Sequence, residues 1–204
     1  MARDKTRENI AIRGEPVRQR VIDAAERLLR SGKADFSMRD LAAEASVSFA
    51  TPFNHFGSKG AIMHALSERR TDTMAMRFAE ARHPTDAASR VLLAVDTAVA
   101  VMLEEPSVNR AVMSWIGTTG GSAGQAWARS TALWTLALGA GEGIQENCRT
   151  DALDCLPRQL ALCFRGALSF WSAGELPDEA LGPDARAVAS TLLLGFTEPS
   201  MSFG

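Results

Sequence analysis

Between Ser48 and Lys59 the chain carries hydroxyls, a carboxamide, an imidazole and an ammonium at Ser48, Thr51, Asn54, His55 and Lys59. None of them sits in a pattern that would make it a nucleophile or a metal ligand. Such groups donate and accept hydrogen bonds at base edges and phosphates, while Phe49 and Ala50 beside them can touch thymine methyl groups. Catalysis finds little support elsewhere, because no GxSxG, HExxH or phosphate-loop pattern occurs. His64 falls on the inner side of a helix and His83 precedes Pro84 in a loop. Cys148, Cys155 and Cys163 lack a CxxC pair and lie far from the histidines in sequence, so they read as buried or half-buried helical thiols, with redox sensing as the alternative. No enzyme, metal site or cofactor is expected.

The elements that must position these groups all have the helical period. Val17, Val21, Ala25, Leu28 and Leu29 share one face of a first helix, with Pro16 at its start and Gly32 at its end. Ser37 and Asp40 form a capping box for a second helix running to about Ala45. Ser48 is placed to cap a third ending near Phe56, and a fourth begins at Lys59 after Gly57-Ser58. Further helices follow from Ala88 to Leu103, around Val108–Ile116, from about Ala126 to Ile144, from Pro157 through Trp171, and finally past Pro177 through Val188 to Phe196, with a glycine loop at 117–124. No alternating β-branched run competes. The expected fold is all-α: a three-helix helix-turn-helix unit, assigned with its N-terminal arm to residues 1–62, and a larger helical body at 63–204.

Charge separates the two parts. Residues 1–64 hold 11 Lys and Arg against 8 Asp and Glu, whereas residues 65–204 hold 11 against 16. The excess of positive charge lies in an arm with Arg3, Lys5, Arg7, Arg13, Arg18 and Arg20, which suits phosphate. A 46% hydrophobic content is enough for a packed core, yet no apolar run reaches the roughly 20 residues of a membrane span. A cytoplasmic protein without a membrane partner is expected.

The stretch FSMRDLAAEASVSFATPFNHFGSKGAIMHAL, residues 36–66, resembles the DNA-binding signature of TetR-family repressors. The resemblance rests on Asp40-Leu41-Ala42, Ala45-x-Val47-Ser48, Thr51, the aromatic Phe53, His55-Phe56 and Ser58-Lys59. It implies a three-helix DNA-binding domain, a connecting fourth helix and a ligand-binding body that dimerises. The DNA-contacting set is then Ser37, Arg39, Ser48, Phe49, Ala50, Thr51, Phe53, Asn54, His55 and Lys59. In this set His55 matches a residue that commonly touches the backbone, and Lys59 at a helix N-terminus reads as a phosphate clamp. Phe53 and Phe56 are also expected to pack in the core of the small unit. Three residues depart from the family pattern: Ser46 where glycine is usual, Pro52 inside the recognition helix, and Phe53 where many relatives have tyrosine.

Residues 164–196 resemble the family's closing pair of helices, with Trp171 followed by a Gly-Glu-Leu turn. The resemblance implies that Phe164, Leu168, Trp171, Leu192, Leu193 and Phe196 lie near a homodimer interface. Met102, Met113, Trp115, Trp127 and Trp134 are soft or aromatic and suit the wall of an effector pocket. The expected function is that of a regulator on a palindromic operator, most simply a repressor released by a small apolar or amphipathic ligand. Activation on the same fold, or an interaction module with a degenerate DNA-binding unit, are the alternatives.

Overall fold

In the computed structural model of the chain the described residues are 2–116 and 125–197, with the side chains of 2–14, 125 and 126 outside the description. The glycine loop expected at 117–124 and the arm's Arg3, Lys5, Arg7 and Arg13 side chains therefore fall outside the described part. Among the described residues the regular structure is helical: α1 (Ala2–Arg30), α2 (Met38–Glu44), α3 (Ala50–Phe56), α4 (Lys59–Glu80), α5 (Ala87–Leu103), α6 (Pro106–Met113), α7 (Gln125–Leu138), α8 (Arg149–Ser172) and α9 (Asp178–Leu194).

Two apolar cores result, and α4 serves both. The first gathers Val21, Ala25, Leu28 and Leu29 of α1, Leu41 of α2, and Ile62, Met63 and Leu66 of α4. Val108 and Val112 of α6 complete it, so a helix far along the chain is built into the amino-terminal unit. The second gathers Met74 and Phe78 from the other end of α4 with Val91, Val95 and Met102 of α5, Trp134 of α7, Leu160 and Trp171 of α8, and Leu181 of α9. Helices α5, α7, α8 and α9 pack on one another around it.

Three boundaries differ from the sequence reading, each for a local reason. Pro16 does not open α1 but lies inside it. Its fixed φ suits a helix, and its cost is one hydrogen bond and a local clash. Pro157 likewise lies within α8, where Ala152, Leu156 and Leu160 are buried on either side of it and offset the lost bond. In contrast, α7 stops at Leu138 and does not continue to Ile144. Gly139 takes φ 59°, and the buried guanidinium of Arg90 donates to the carbonyls of Ala137 (3.0 Å) and Leu138 (2.8 Å), closing the helix end. A Cβ on Gly139 would stand 2.9 Å from Arg90 Nη2, so a side chain there would have to push the guanidinium aside and also hold the strained left-handed φ.

Ser46, in the turn between α2 and α3, takes φ 52° and is the single non-glycine residue with positive φ among the described residues. A β-carbon in that region costs about 1–2 kcal/mol, and glycine's extra freedom in the unfolded chain returns roughly half of it. Ser46→Gly is therefore expected to stabilise the folded chain by about 0.5–1 kcal/mol, read as a higher midpoint in urea with unchanged slope.

Candidate nucleic-acid interface and ligand cavity

The second helix of the motif is held by its cap. Ser37 Oγ accepts from the amide of Asp40 at 3.2 Å, while the Asp40 carboxylate accepts from the Ser37 amide at 2.8 Å and from its hydroxyl at 2.7 Å. These donors hold the Asp40 carboxyl below the ordinary aspartate range, the Ser37 amide contributing most. A carboxyl lowered in the folded state stabilises above its unfolded pKa of about 3.9 and stops doing so as pH falls through the lower folded value. Asp40→Asn is accordingly expected to flatten the acid limb of thermal stability below about pH 4, measured by melting as pH is lowered.

Helix α3 begins one turn-residue later than expected. Its cap position is Phe49, with no side-chain cap, rather than Ser48. Ser48 instead accepts the Thr51 amide on its carbonyl at 2.9 Å and shares a 2.7 Å hydrogen bond between the two hydroxyls. The short turn frees the Ser48 side chain from capping because Thr51 satisfies it. Pro52 is then the third residue of the helix, where an N–H would have no intrahelical acceptor, and its ring is buried. The proline costs the recognition helix nothing.

What α3 presents outward is mixed. Ala50, Asn54 and His55 are exposed, and the Asn54 and His55 side chains have no hydrogen-bond partner among the described residues. Phe49 is 53% exposed and Phe53 43% exposed, their rings meeting edge to face at 5.5 Å. Phe53 is thus not a core residue: it lies one turn after Phe49 on the outer face, where the first core does not reach. Phe56 is half-buried against that core, with the Arg18 guanidinium over its ring at 4.9 Å. Arg39 reaches from α2 over the Phe49 ring at 5.6 Å, so an exposed cation borders the aromatic pair.

Lys59 faces inward. Its ammonium donates to the carbonyl of Ala34 at 2.8 Å and lies over the rings of Phe36 (4.3 Å) and Trp115 (5.3 Å), and burial lowers its pKa. The α4 N-terminus is capped by Ser58, which accepts from Ala61 at 3.2 Å. The lysine expected to clamp phosphate is a tie between α4, the α1–α2 loop and the end of α6.

A second site lies between α4, α5, α6, α7 and α8: a cavity of about 230 Å³. Met102, Met113, Trp127 and Trp134 line it, as their types suggested, whereas Trp115 does not. Trp115 packs against the first core because the end of α6 turns towards the amino-terminal unit. Phe164 and Leu168 also line the cavity. Together with Trp171 and Leu193 they are buried within the chain's own second core, and Leu192 and Phe196 pack partly buried against it. Phe164, Leu168, Trp171 and Leu193 are thus core residues of their own chain, while Leu192 and Phe196 keep part of their surface outside it. Periodicity locates an apolar stripe but not the molecule that covers it. The apolar side chains that α8 and α9 leave exposed are Leu162, Phe170, Val188 and Leu194.

Polar wall residues escaped the sequence reading. Ser67, Glu68, Arg70 and Thr71 of α4 line the cavity, as do Arg129 of α7 and Arg165 of α8. Arg165 alone had a visible signal, a single charge in the apolar run Leu-Cys-Phe-Arg-Gly-Ala-Leu. Arg70 joins the two sites. Its guanidinium pairs with Glu26 of α1, whose side chain is 8% exposed, and its Nε donates to Asn109 Oδ1 at 2.8 Å. Asn109 Nδ2 in turn donates to the carbonyls of Val101 (3.1 Å) and Met102 (2.9 Å).

Residues 21–66 match the family model described as bacterial regulatory proteins, tetR family. The amino-terminal unit is similar to a TetR-family domain. Solved structures extend the likeness to the whole fold. A TetR transcriptional regulator from Rhodococcus sp. RHA1 superposes with a TM-score of 0.71 at 20% identity, over 88% of this chain and 97% of that one. FadR of Thermus thermophilus, a TetR-family repressor solved with lauroyl-CoA, gives 0.69 at 18% identity, over 92% and 99%. AlkX from Dietzia sp. strain DQ12-45-1b, a TetR-family repressor implicated in n-alkane biodegradation, gives 0.54 at 21% identity, over 87% and 95%. Comparison with curated proteins gives no match. The amino-terminal unit is thus similar to the DNA-binding domain of that family, and the whole chain shares the all-helical fold of these proteins. No described helix is long and apolar enough to cross a membrane.

Proposed function

We propose that this regulator is a homodimeric repressor, released from a palindromic operator by a small ligand in the cavity, and that it is not an enzyme. The observation that carries the reading is Arg70, one side chain that both lines the cavity and pairs with Glu26 in the DNA-binding unit. A ligand that prefers one placement of Arg70 shifts α4 against α1, and with them the recognition helices. It acts only through the difference in its affinity for the two arrangements. Helix α3 supplies base contacts through Thr51 and Asn54, apolar contacts through Phe49, Ala50 and Phe53, and backbone contacts through Ser48, His55 and Arg39. One short helix reads only a few base pairs, so two copies are needed on successive major-groove faces. Phe170, Val188 and Leu194, exposed on α8 and α9, suit the face that pairs them.

The test is selection of genomic DNA fragments on the purified protein, followed by titration of the best site at two salt concentrations and sedimentation of the complex. The expected result is a palindromic site bound by a dimer, with affinity that falls as salt rises. Phe170→Glu should shift the protein towards monomer and weaken operator binding. The exposed pair Phe49 and Phe53 also fits a protein partner, and sequence-indifferent binding lost at moderate salt would favour that second reading.

A further inference from the structure

Three arginines line the cavity, and two are already matched. Arg70 pairs with Glu26 and lies 3.7 Å from Glu105, and Arg129 pairs with Asp72 and lies 4.0 Å from Glu68, which accounts for the carboxylate in the wall. Arg165 differs. No carboxylate among the described residues lies within ion-pair distance of it. Among the described residues it donates only to the carbonyl of Ile116 at 3.1 Å and, weakly, to Met113 Sδ at 4.0 Å. A guanidinium has five N–H donors, so most of those on Arg165 have no acceptor among the described residues, beside a largely apolar lumen. Its partial burial acts in the same direction, lowering its pKa by desolvation without a counter-charge to restore it. A second donor in the same wall, the indole Nε1–H of Trp134, is buried with no acceptor among the described residues. A charge without a partner in such a place is costly unless an anion completes it.

We propose that the cavity takes an amphipathic carboxylate whose anionic end is bound by Arg165 and whose apolar body lies against Met102, Trp134 and Leu168. This rests on the reading of the cavity as the effector site. Its volume of about 230 Å³ sets the size. It exceeds the roughly 150 Å³ that admits benzene and falls short of the roughly 300 Å³ at which drug-sized sites begin. A body of about eight carbons, such as octanoate or 3-phenylpropanoate, fits that interval. Two charge-assisted hydrogen bonds from one planar fork hold a carboxylate in a fixed orientation, which an alcohol of equal length cannot match.

Calorimetric titration of the full-length protein with octanoate, 3-phenylpropanoate and 1-octanol tests this directly. Expected is saturable binding of one carboxylate per chain, at least about tenfold tighter than the alcohol. Arg165→Gln should lose that preference and Arg165→Lys should keep part of it. Alcohol binding equal to or tighter than carboxylate binding, or Arg165→Gln binding octanoate as the parent does, overturns the proposal. The wild-type comparison of acid with alcohol decides the matter even if a variant fails to fold. Operator titration with the same probes separates the two readings. Arg165-dependent carboxylate binding that leaves operator affinity unchanged sinks the effector role and keeps the ligand assignment. Release by octanol with no carboxylate binding does the reverse.

Discussion

Glu26→Gln is expected to cost the folded chain about 3 kcal/mol and to uncouple ligand from operator. The Glu26 carboxylate accepts from Arg69 Nη1 at 2.9 Å and from Arg70 Nη2, with Arg30 Nη2 3.2 Å away, all at a site where its side chain is 8% exposed. Removing the charge leaves Arg70, 14% exposed, without its main partner. Breaking a buried pair in this way costs about 3–5 kcal/mol. Asp23 at 2.7 Å from Arg69 and Glu105 at 3.7 Å from Arg70 stay in place, which sets the expectation at the lower end. Urea denaturation checks the stability, and a double-mutant cycle with Arg70→Met separates the pair from its surroundings. In operator titrations the variant that still folds should bind DNA but release it at distinctly higher ligand concentration. A loss below about 0.5 kcal/mol, the scale of a surface substitution, would mean that the network does not hold α1 to α4.

The second large effect concerns the outer face of α3. Asn54→Ala should weaken operator binding by about 1–3 kcal/mol, roughly 5- to 150-fold, and relax preference at one base pair. Thr51→Ala should do less, since that hydroxyl is half-buried and already shares a hydrogen bond with Ser48. Neither changes a phosphate contact made by a cation, so the salt dependence should stay as it is. Lys59→Met is expected to behave differently. It removes a charge-assisted bond to Ala34 and contacts with two rings, and should lower stability by about 1–2 kcal/mol. Its salt slope should match the parent's. A slope lower by about one would instead return Lys59 to the phosphate. Melting curves and operator titrations at two salt concentrations distinguish these results.

The capping box at Ser37, the glycine stops and the three-and-four spacing of Val21, Ala25 and Leu28 specify helices through local chemistry, so the all-α fold and the helix-turn-helix were legible from residues alone. The same holds for the soft and aromatic character of Met102, Met113, Trp127 and Trp134, which tertiary packing gathers around one cavity. Tertiary structure alone decided which partner each apolar stripe meets. Trp171 and Phe164 have the same helical spacing whether they face their own chain or another copy, and only the packing of α8 against α7 and α9 puts them inside. Lys59 is another such case: its place at a helix N-terminus is legible in the sequence, whereas its contacts with Ala34, Phe36 and Trp115 come from tertiary packing. The pairing of Arg70 with Glu26, and the lack of such a partner for Arg165 among the described residues, depend on residues distant along the chain. Local propensity acts over a turn or two of helix, whereas the partner of a charge or an aromatic ring is set by how whole helices pack.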